Sequence, residues 1–305
     1  MVRFVSWNLS WQASAEQRHG QIELLRRLSP DLLAVQEVSA ARLRPLAELF
    51  SWSAFSIGPH DGSRWTQQQG TAVLGGHRCE LSRHMLIAPW WFELPDFETS
   101  PWISIRCSRR ATWAHVRLAG TDVNFLAGSL HAQPATGDIA QHKAWFHSGV
   151  ARWLAQTPEP WIFGIDANTP GHDPFDPADT RWAWPRIADR PGEDDLLGPA
   201  PEHRGRDLLR DWLDSRPEQL ELVRWDRPAG PLAVSYKLPQ GPVRYDHCWA
   251  TPEIKVDHIQ YLDEAFEYSD HAAIVADLSV RLTTRRPGSP ASNETHRLPA
   301  HVRKP

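Results

Sequence analysis

The chain has 305 residues, 41% hydrophobic and 23% charged, a composition that supports a packed core and excludes global disorder. Its net charge is −4, unevenly spread: residues 281–305 carry six basic residues and one acid, which leaves 27 basic against 36 acidic residues, a net of −9, in residues 1–280. That body has no basic excess to coat a nucleic-acid duplex, and no apolar run reaches the ~20 residues that span a bilayer.

Three cysteines, Cys79, Cys107 and Cys248, form no paired metal or disulfide motif, and no signal-peptide pattern precedes the first strand. A reducing, cytoplasmic setting is the expectation. The alternation in Val2–Trp7 predicts a strand that delivers the polar Asn8 at its end. Glu16–Leu28 reads as a helix with Ile22, Leu25 and Leu28 on one face, stopped by Ser29-Pro30. Asp31–Gln36 is a second apolar run, ending in Glu37. Strand, crossover helix and strand make parallel neighbours, so Asn8 and Glu37 are expected side by side at one sheet edge.

Gly70–Leu74 predicts a short strand, and Thr112–Leu118 with Val123–Ser129 a hairpin whose second arm runs into His131. Asp138–Gln156 carries the clearest helical stripe, including Phe146, Val150 and Leu154. Trp161–Ile165 reads as a buried strand leading to Asp166 and Asn168. Residues 170–241 read as a decorated loop region with one helix, Arg206–Leu213, and no strand series. Val243–Trp249, Ile254–Tyr261 and Ala272–Val280 are the remaining strands, the last preceded by Ser269-Asp270-His271. Residues 1–282 are expected to form one catalytic domain, and 283–305, aperiodic and polar, a disordered tail.

Singly these polar residues are ordinary turn formers, caps or solvated groups. Together they repeat one design, in which apolar strands end in Asn, Glu, His or Asp. Burying so many polar groups unpaired at one sheet edge is costly, and a shared centre accounts for them. Carboxylates suit a divalent cation, two histidines suit proton transfer, an aspartate suits a water, and an amide suits a developing oxyanion.

Ser6-Trp7-Asn8, Val35-Gln36-Glu37, Gly128-Ser129-Leu130-His131, Gly164-Ile165-Asp166-Ala167-Asn168, Arg244-Tyr245-Asp246-His247 and Ser269-Asp270-His271 together resemble the ordered signatures of the endonuclease/exonuclease/phosphatase superfamily. The resemblance spans about residues 2–280. It implies a four-layer α/β/β/α sandwich and cleavage of phosphate esters with Mg²⁺ or Mn²⁺. It further implies Glu37 as principal metal ligand, with Asn8 and Asp270 in or near the metal shell. Asp166 resembles the residue that orients or deprotonates water, and Asn168 the amide that stabilises the pentacovalent phosphorus. Asp246 and His271 resemble a carboxylate–imidazole pair; His131 resembles the histidine that holds a phosphoryl oxygen or protonates the leaving group.

The segment around His131 is closer to pancreatic-type deoxyribonucleases, but where those place a glutamate beside the histidine, this chain offers Gln67, Gln68 and Gln69. Arg106, Arg109 and Arg110 suggest a substrate anion loop. Of the 16 tryptophans, Trp65, Trp90, Trp91, Trp182 and Trp184 are read mainly as clamps for long loops. The expectation is therefore a monomeric nuclease acting on nucleic-acid phosphodiesters. The alternatives are a phosphatase or phosphodiesterase for small-molecule or lipid esters, and an inactive binding module.

Overall fold

In the computed structural model the described residues are 1–56, 69–85, 111–132, 146–147, 150–151, 153–168, 205–226, 231–239 and 241–280. Arg106, Arg109, Arg110, Gln67, Gln68, the five loop tryptophans and residues 283–305 lie outside them. Two six-stranded mixed sheets pack face to face. The first has the order β13 (Ile254–Leu262), β14 (Ala273–Val280), β1 (Val2–Asn8), β2 (Leu32–Val38), β4 (Gly70–Gly75), β3 (Trp52–Ser56). The second runs β5 (Cys79–Met85), β6 (Ala111–Leu118), β7 (Asn124–His131), β8 (Trp161–Asp166), β12 (Asp246–Ala250), β9 (Arg206–Asp207). A small hairpin, β10 (Tyr236–Leu238) with β11 (Gly241–Val243), stands apart.

The layers follow from strand alternation. Val5 and Trp7 of β1, with Leu33 and Val35 of β2, pack beneath α1 (Ala15–Leu28) and α2 (Ala40–Ala47). Val2, Phe4, Leu32 and Ala34 face the other sheet, where they meet Ala127, Ile162 and Cys248. On the far side, Trp113, Trp161, Phe163 and Ile165 pack against the helical residues Phe146, Val150 and Leu154. These are the four layers of an α/β/β/α sandwich. Residues of the expected 138–156 helix that are described from Phe146 onward are helical; Ile139 and Trp145 are not among those described.

Most predicted strands stand, and the differences have local causes. Ser14 caps α1 in a reciprocal box with Gln17, so the helix begins at Ala15. Its buried face is Gln21, Leu24 and Leu25, because the Gln21 amide donates to the carbonyls of Leu9 and Tyr268, both at 2.8 Å. Arg206-Asp207 pairs with β12, and Asp207 caps a helix that starts at Leu208, α3 (Leu208–Asp214). The expected loop region also holds a second helix, α4 (Pro217–Asp226), and the short strands β9 and β10. Among the described residues no helix is long and apolar enough to cross a membrane.

Just below one end of the sandwich the sheets are joined by polar groups. Gln36 Nε2 donates to Ser129 Oγ at 3.1 Å, Ser129 Oγ donates to the Val35 carbonyl at 2.7 Å, and the Thr71 and Thr112 hydroxyls meet at 2.8 Å. The sheets come so close here that a Cβ on Gly164 would stand 2.0 Å from the Ser6 hydroxyl. Gly164→Ala should lower stability by about 1–3 kcal/mol through overpacking. A urea midpoint equal to wild type would show that Ser6 can move aside.

Candidate active site

Period-two alternation builds the site. The inter-sheet faces of β1, β2, β7 and β8 change from apolar side chains to Ser6, Gln36, Ser129 and Gly164, and then, on three of them, to Asn8, His131 and Asp166. Strand register aligns the second sheet's contribution: His131 is opposite Asp166, and Asp166 is opposite Asp246. The first sheet supplies Asn8 from β1, Glu37 from β2 and His271 from the turn before β14.

Glu37 departs from the alternation. Leu33 and Val35 face the helices, so a regular strand would send Glu37 the same way. Instead it takes φ +54° within an irregularity in the β2–β4 pairing between Val35 and Val38. Its Oε1 thereby comes within 3.5 Å of His131 Nε2, while Oε2 accepts from the Trp11 amide at 2.9 Å.

Asp166 lies at the centre and is 1% exposed. Oδ2 accepts from Asn8 Nδ2 at 2.9 Å and from Asn168 Nδ2 at 3.0 Å; Oδ1 accepts from the Asn168 amide at 2.8 Å. Asn168 sits at φ +49°, a region asparagine tolerates, which folds its amide back toward His131 Nε2 at 3.4 Å. His131 Nε2 is also 3.5 Å from Asp166 Oδ2, so two carboxylates face this imidazole. Burial, opposed by the His271 charge and reinforced by those of Asp246 and Glu37, brings the Asp166 carboxyl up to about 7, and burial raises Glu37 as well.

Asp246 Oδ2 lies 2.7 Å from His271 Nδ1 in a dry setting. Burial alone would lower this imidazole, but the Asp246 and Asp166 charges outweigh it and raise His271 to about 10. Ser235 and Tyr236, which sequence reasoning missed, hold the pair. The Ser235 hydroxyl accepts from the amides of Tyr245 and Asp246 at 2.8 and 2.9 Å, and its carbonyl accepts from Ala272 at 2.9 Å. Tyr236 tilts its ring over His271 with centroids 4.7 Å apart. A serine and a tyrosine inside a Pro-rich stretch carry no periodic signal that would have marked them. The Ser269-Asp270-His271 turn is tied down by Ser269 Oγ to the Asn8 carbonyl at 2.7 Å and by Trp7 Nε1 to the His271 carbonyl at 3.0 Å.

Behind Asp246, Arg244 is 1% exposed and bonds Asp207, His247 Nδ1 at 2.9 Å and the Tyr261 hydroxyl at 3.0 Å; that hydroxyl donates to the Asp246 carbonyl at 2.8 Å. Burial would raise the Asp207 carboxyl, but the Arg244 guanidinium and His247 hold it below the usual carboxylate range. A depressed folded value stabilises the native state above the unfolded value of about 3.9, and this contribution is lost as pH falls through the folded value. Asp207→Asn should cost about 3–5 kcal/mol near neutrality, because it takes a carboxylate from a buried guanidinium, and should flatten the acid limb below about pH 4. Urea midpoints across that range check it, and parallel acid limbs would remove Asp207 from the account.

The sequence pattern of the Endonuclease/Exonuclease/phosphatase family matches residues 5–271, a span that holds every one of these strand-end residues. The chain belongs to this family. Its members are metal-dependent phosphoric ester hydrolases, and so is this protein. Solved structures share the fold at low identity. A humanized D. rerio TDP2 is 16% identical with TM-score 0.59, covering 92% of this chain and 99% of its own. The human Nocturnin catalytic domain is 17% identical with TM-score 0.57, covering 92% and 94%. A Bacteroides thetaiotaomicron mannosyl-6-phosphatase is 14% identical with TM-score 0.56, covering 92% and 100%. No curated protein matches the sequence significantly.

The residues present fit the divalent cation of an endonuclease/exonuclease/phosphatase enzyme. Glu37, His131 and Asp166 bring ligand atoms within 4.8 Å of one another, as do Asp166, Asp246 and His271. Asp246 Oδ1 is buried without a hydrogen-bond partner among the described residues. Carboxylates raised by burial also mark negative charge that a cation would relieve. Asp270 belongs to neither cluster; it is exposed, although its charge acts on Glu37 and His271.

Proposed function

We propose that the protein hydrolyses phosphodiester bonds of nucleic acid, using Mg²⁺ or Mn²⁺ held by Glu37, with Asn8 and Asp270 beside it. The observation that carries this reading is the pair of imidazoles on opposite sheets flanking one buried carboxylate, Asp166. Displacing an alkoxide from a diester needs a proton taken from water and a proton returned to a poor leaving group, and this arrangement offers separate groups for each. Held by Glu37, a divalent cation would supply charge stabilisation to the phosphate ester.

Asp166, raised toward neutrality and held by Asn8 and Asn168, orients and deprotonates the attacking water. Asn168, whose Nδ2 donates to Asp166 Oδ2 and to the Ala132 carbonyl, both at 3.0 Å, turns one N–H to charge that develops on phosphorus oxygens. His271, kept protonated by Asp246, donates to a non-bridging oxygen. His131 protonates the departing oxygen; its Nε2 faces the Glu37 and Asp166 carboxylates, each at 3.5 Å. One solved relative is a D. rerio TDP2 in complex with a single-strand DNA product, which supports a nucleic-acid substrate.

The test is product analysis with Mg²⁺ or Mn²⁺ on plasmid, single-stranded DNA, RNA and sugar monophosphates. Cleavage of polymer is expected. Release of inorganic phosphate from sugar monophosphates alone would favour a phosphatase, the activity named for the Bacteroides relative.

A further inference from the structure

Beside Glu37, a cavity of about 610 Å³ opens between α1 and α2, walled in part by Trp11, Arg18, Gln21, Glu37, Arg42 and Gln69. Half-buried Arg42 spends both terminal nitrogens on neutral acceptors: the carbonyls of Leu9 at 2.7 Å, Ser10 at 2.8 Å and Glu37 at 3.4 Å, and Gln21 Oε1 at 3.2 Å. Arg18 donates to the Ala13 carbonyl at 2.8 Å. Among the described residues neither guanidinium has a carboxylate within ion-pairing distance, although the body of the protein is acidic. Two guanidiniums thus line one cavity against the single carboxylate of Glu37; burial, and then Arg18, lower Arg42 to about 10 although the Glu37 charge opposes them. Cations that outnumber the carboxylate in a partly dry cavity favour an incoming anion. Trp11, 43% exposed in the same wall, adds an apolar face suited to a nucleobase.

We propose that this cavity is a subsite for a second phosphate of the substrate, the one adjoining the scissile ester, with its nucleoside against Trp11. Arg42 supplies a fixed charge, since the carbonyls occupy its terminal N–H groups; Arg18, exposed and tied by one bond, supplies the donors. Glu37 belongs to this wall and to the catalytic cluster, so one nucleotide chain can reach both places. This subsite rests on the phosphodiesterase reading and narrows its substrate to esters that carry a neighbouring phosphate.

The experiment measures equilibrium binding by calorimetry in EDTA, where no turnover is needed, so it stands apart from a failure of the catalytic reading. The ligands are a thymidine bisphosphate, thymidine monophosphate and a sugar bisphosphate. Wild type should hold the thymidine bisphosphate about tenfold or more tighter than the monophosphate, the gain of one charge-assisted contact. Arg18→Glu should erase that ratio and Arg18→Lys should keep part of it, with circular dichroism confirming that α1 is intact. Equal affinity for mono- and bisphosphate in wild type, or an unchanged ratio in Arg18→Glu, overturns the subsite. Equal binding of the sugar bisphosphate overturns the place given to the nucleoside on Trp11.

Discussion

Asp246→Asn should lower kcat on any turned-over phosphate ester by about 10²–10⁴-fold while leaving the fold intact. The reason is electrostatic. Oδ2 lies 2.7 Å from His271 Nδ1, and its charge heads the influences that overcome the burial of that ring. Asparagine keeps the shape but not the charge, and it can turn its own N–H toward Nδ1, so His271 loses its proton at neutral pH and with it the donor to the phosphoryl oxygen. The backbone of Asp246 stays pinned by the Ser235 and Tyr261 hydroxyls, which is why a folded protein is expected. Near-normal turnover together with an unchanged pH–rate profile would show that His271 works without its carboxylate.

Glu37→Gln is expected to have an effect of similar size, and one with a different signature. The substitution removes a charged oxygen from the cluster that Glu37 forms with His131 and Asp166. Loss of a hard anionic ligand weakens binding of Mg²⁺ or Mn²⁺, so excess metal should restore part of the activity, whereas added metal does not return the proton that Asp246→Asn takes from His271. Wild type should lose activity in EDTA and regain it when Mg²⁺ is returned. Because glutamine can still accept from the Trp11 amide, the loop geometry should survive. Full wild-type turnover in EDTA, or a Glu37→Gln enzyme indifferent to metal concentration, would remove Glu37 from the metal site.

Much of the architecture was legible in the sequence because it rests on local rules. Alternation marks β1, apolar runs mark β8 and β14, a crossover helix between two apolar runs makes β1 and β2 parallel, and the turn at Ala119–Asp122 makes β6 and β7 a hairpin. The order of Asn8, Glu37, His131, Asp166, Asp246 and His271 at strand ends is likewise written in the chain. The short strand β3 and the helices α2 and α4 were missed: β3 is weakly patterned, α2 contains Pro45, and α4 buries none of its residues.

Strand-end position alone did not decide which way each side chain points. Parity would have turned Glu37 toward the helices, and only the left-handed residue inside the β2–β4 irregularity brings its carboxylate to His131. The groups that hold Asp246 and His271 come from Ser235, Tyr236, Arg244 and Tyr261, and the cavity beside Glu37 joins Arg18 to Arg42 from two helices. The sequence by itself determined the strands, the family and the identity of the polar strand ends, because alternation and motif order are properties of neighbouring residues. The tertiary structure decided which of these groups share a charge, a proton or a cavity, because those relations depend on sheet register, a local break in pairing and the burial that only packing creates.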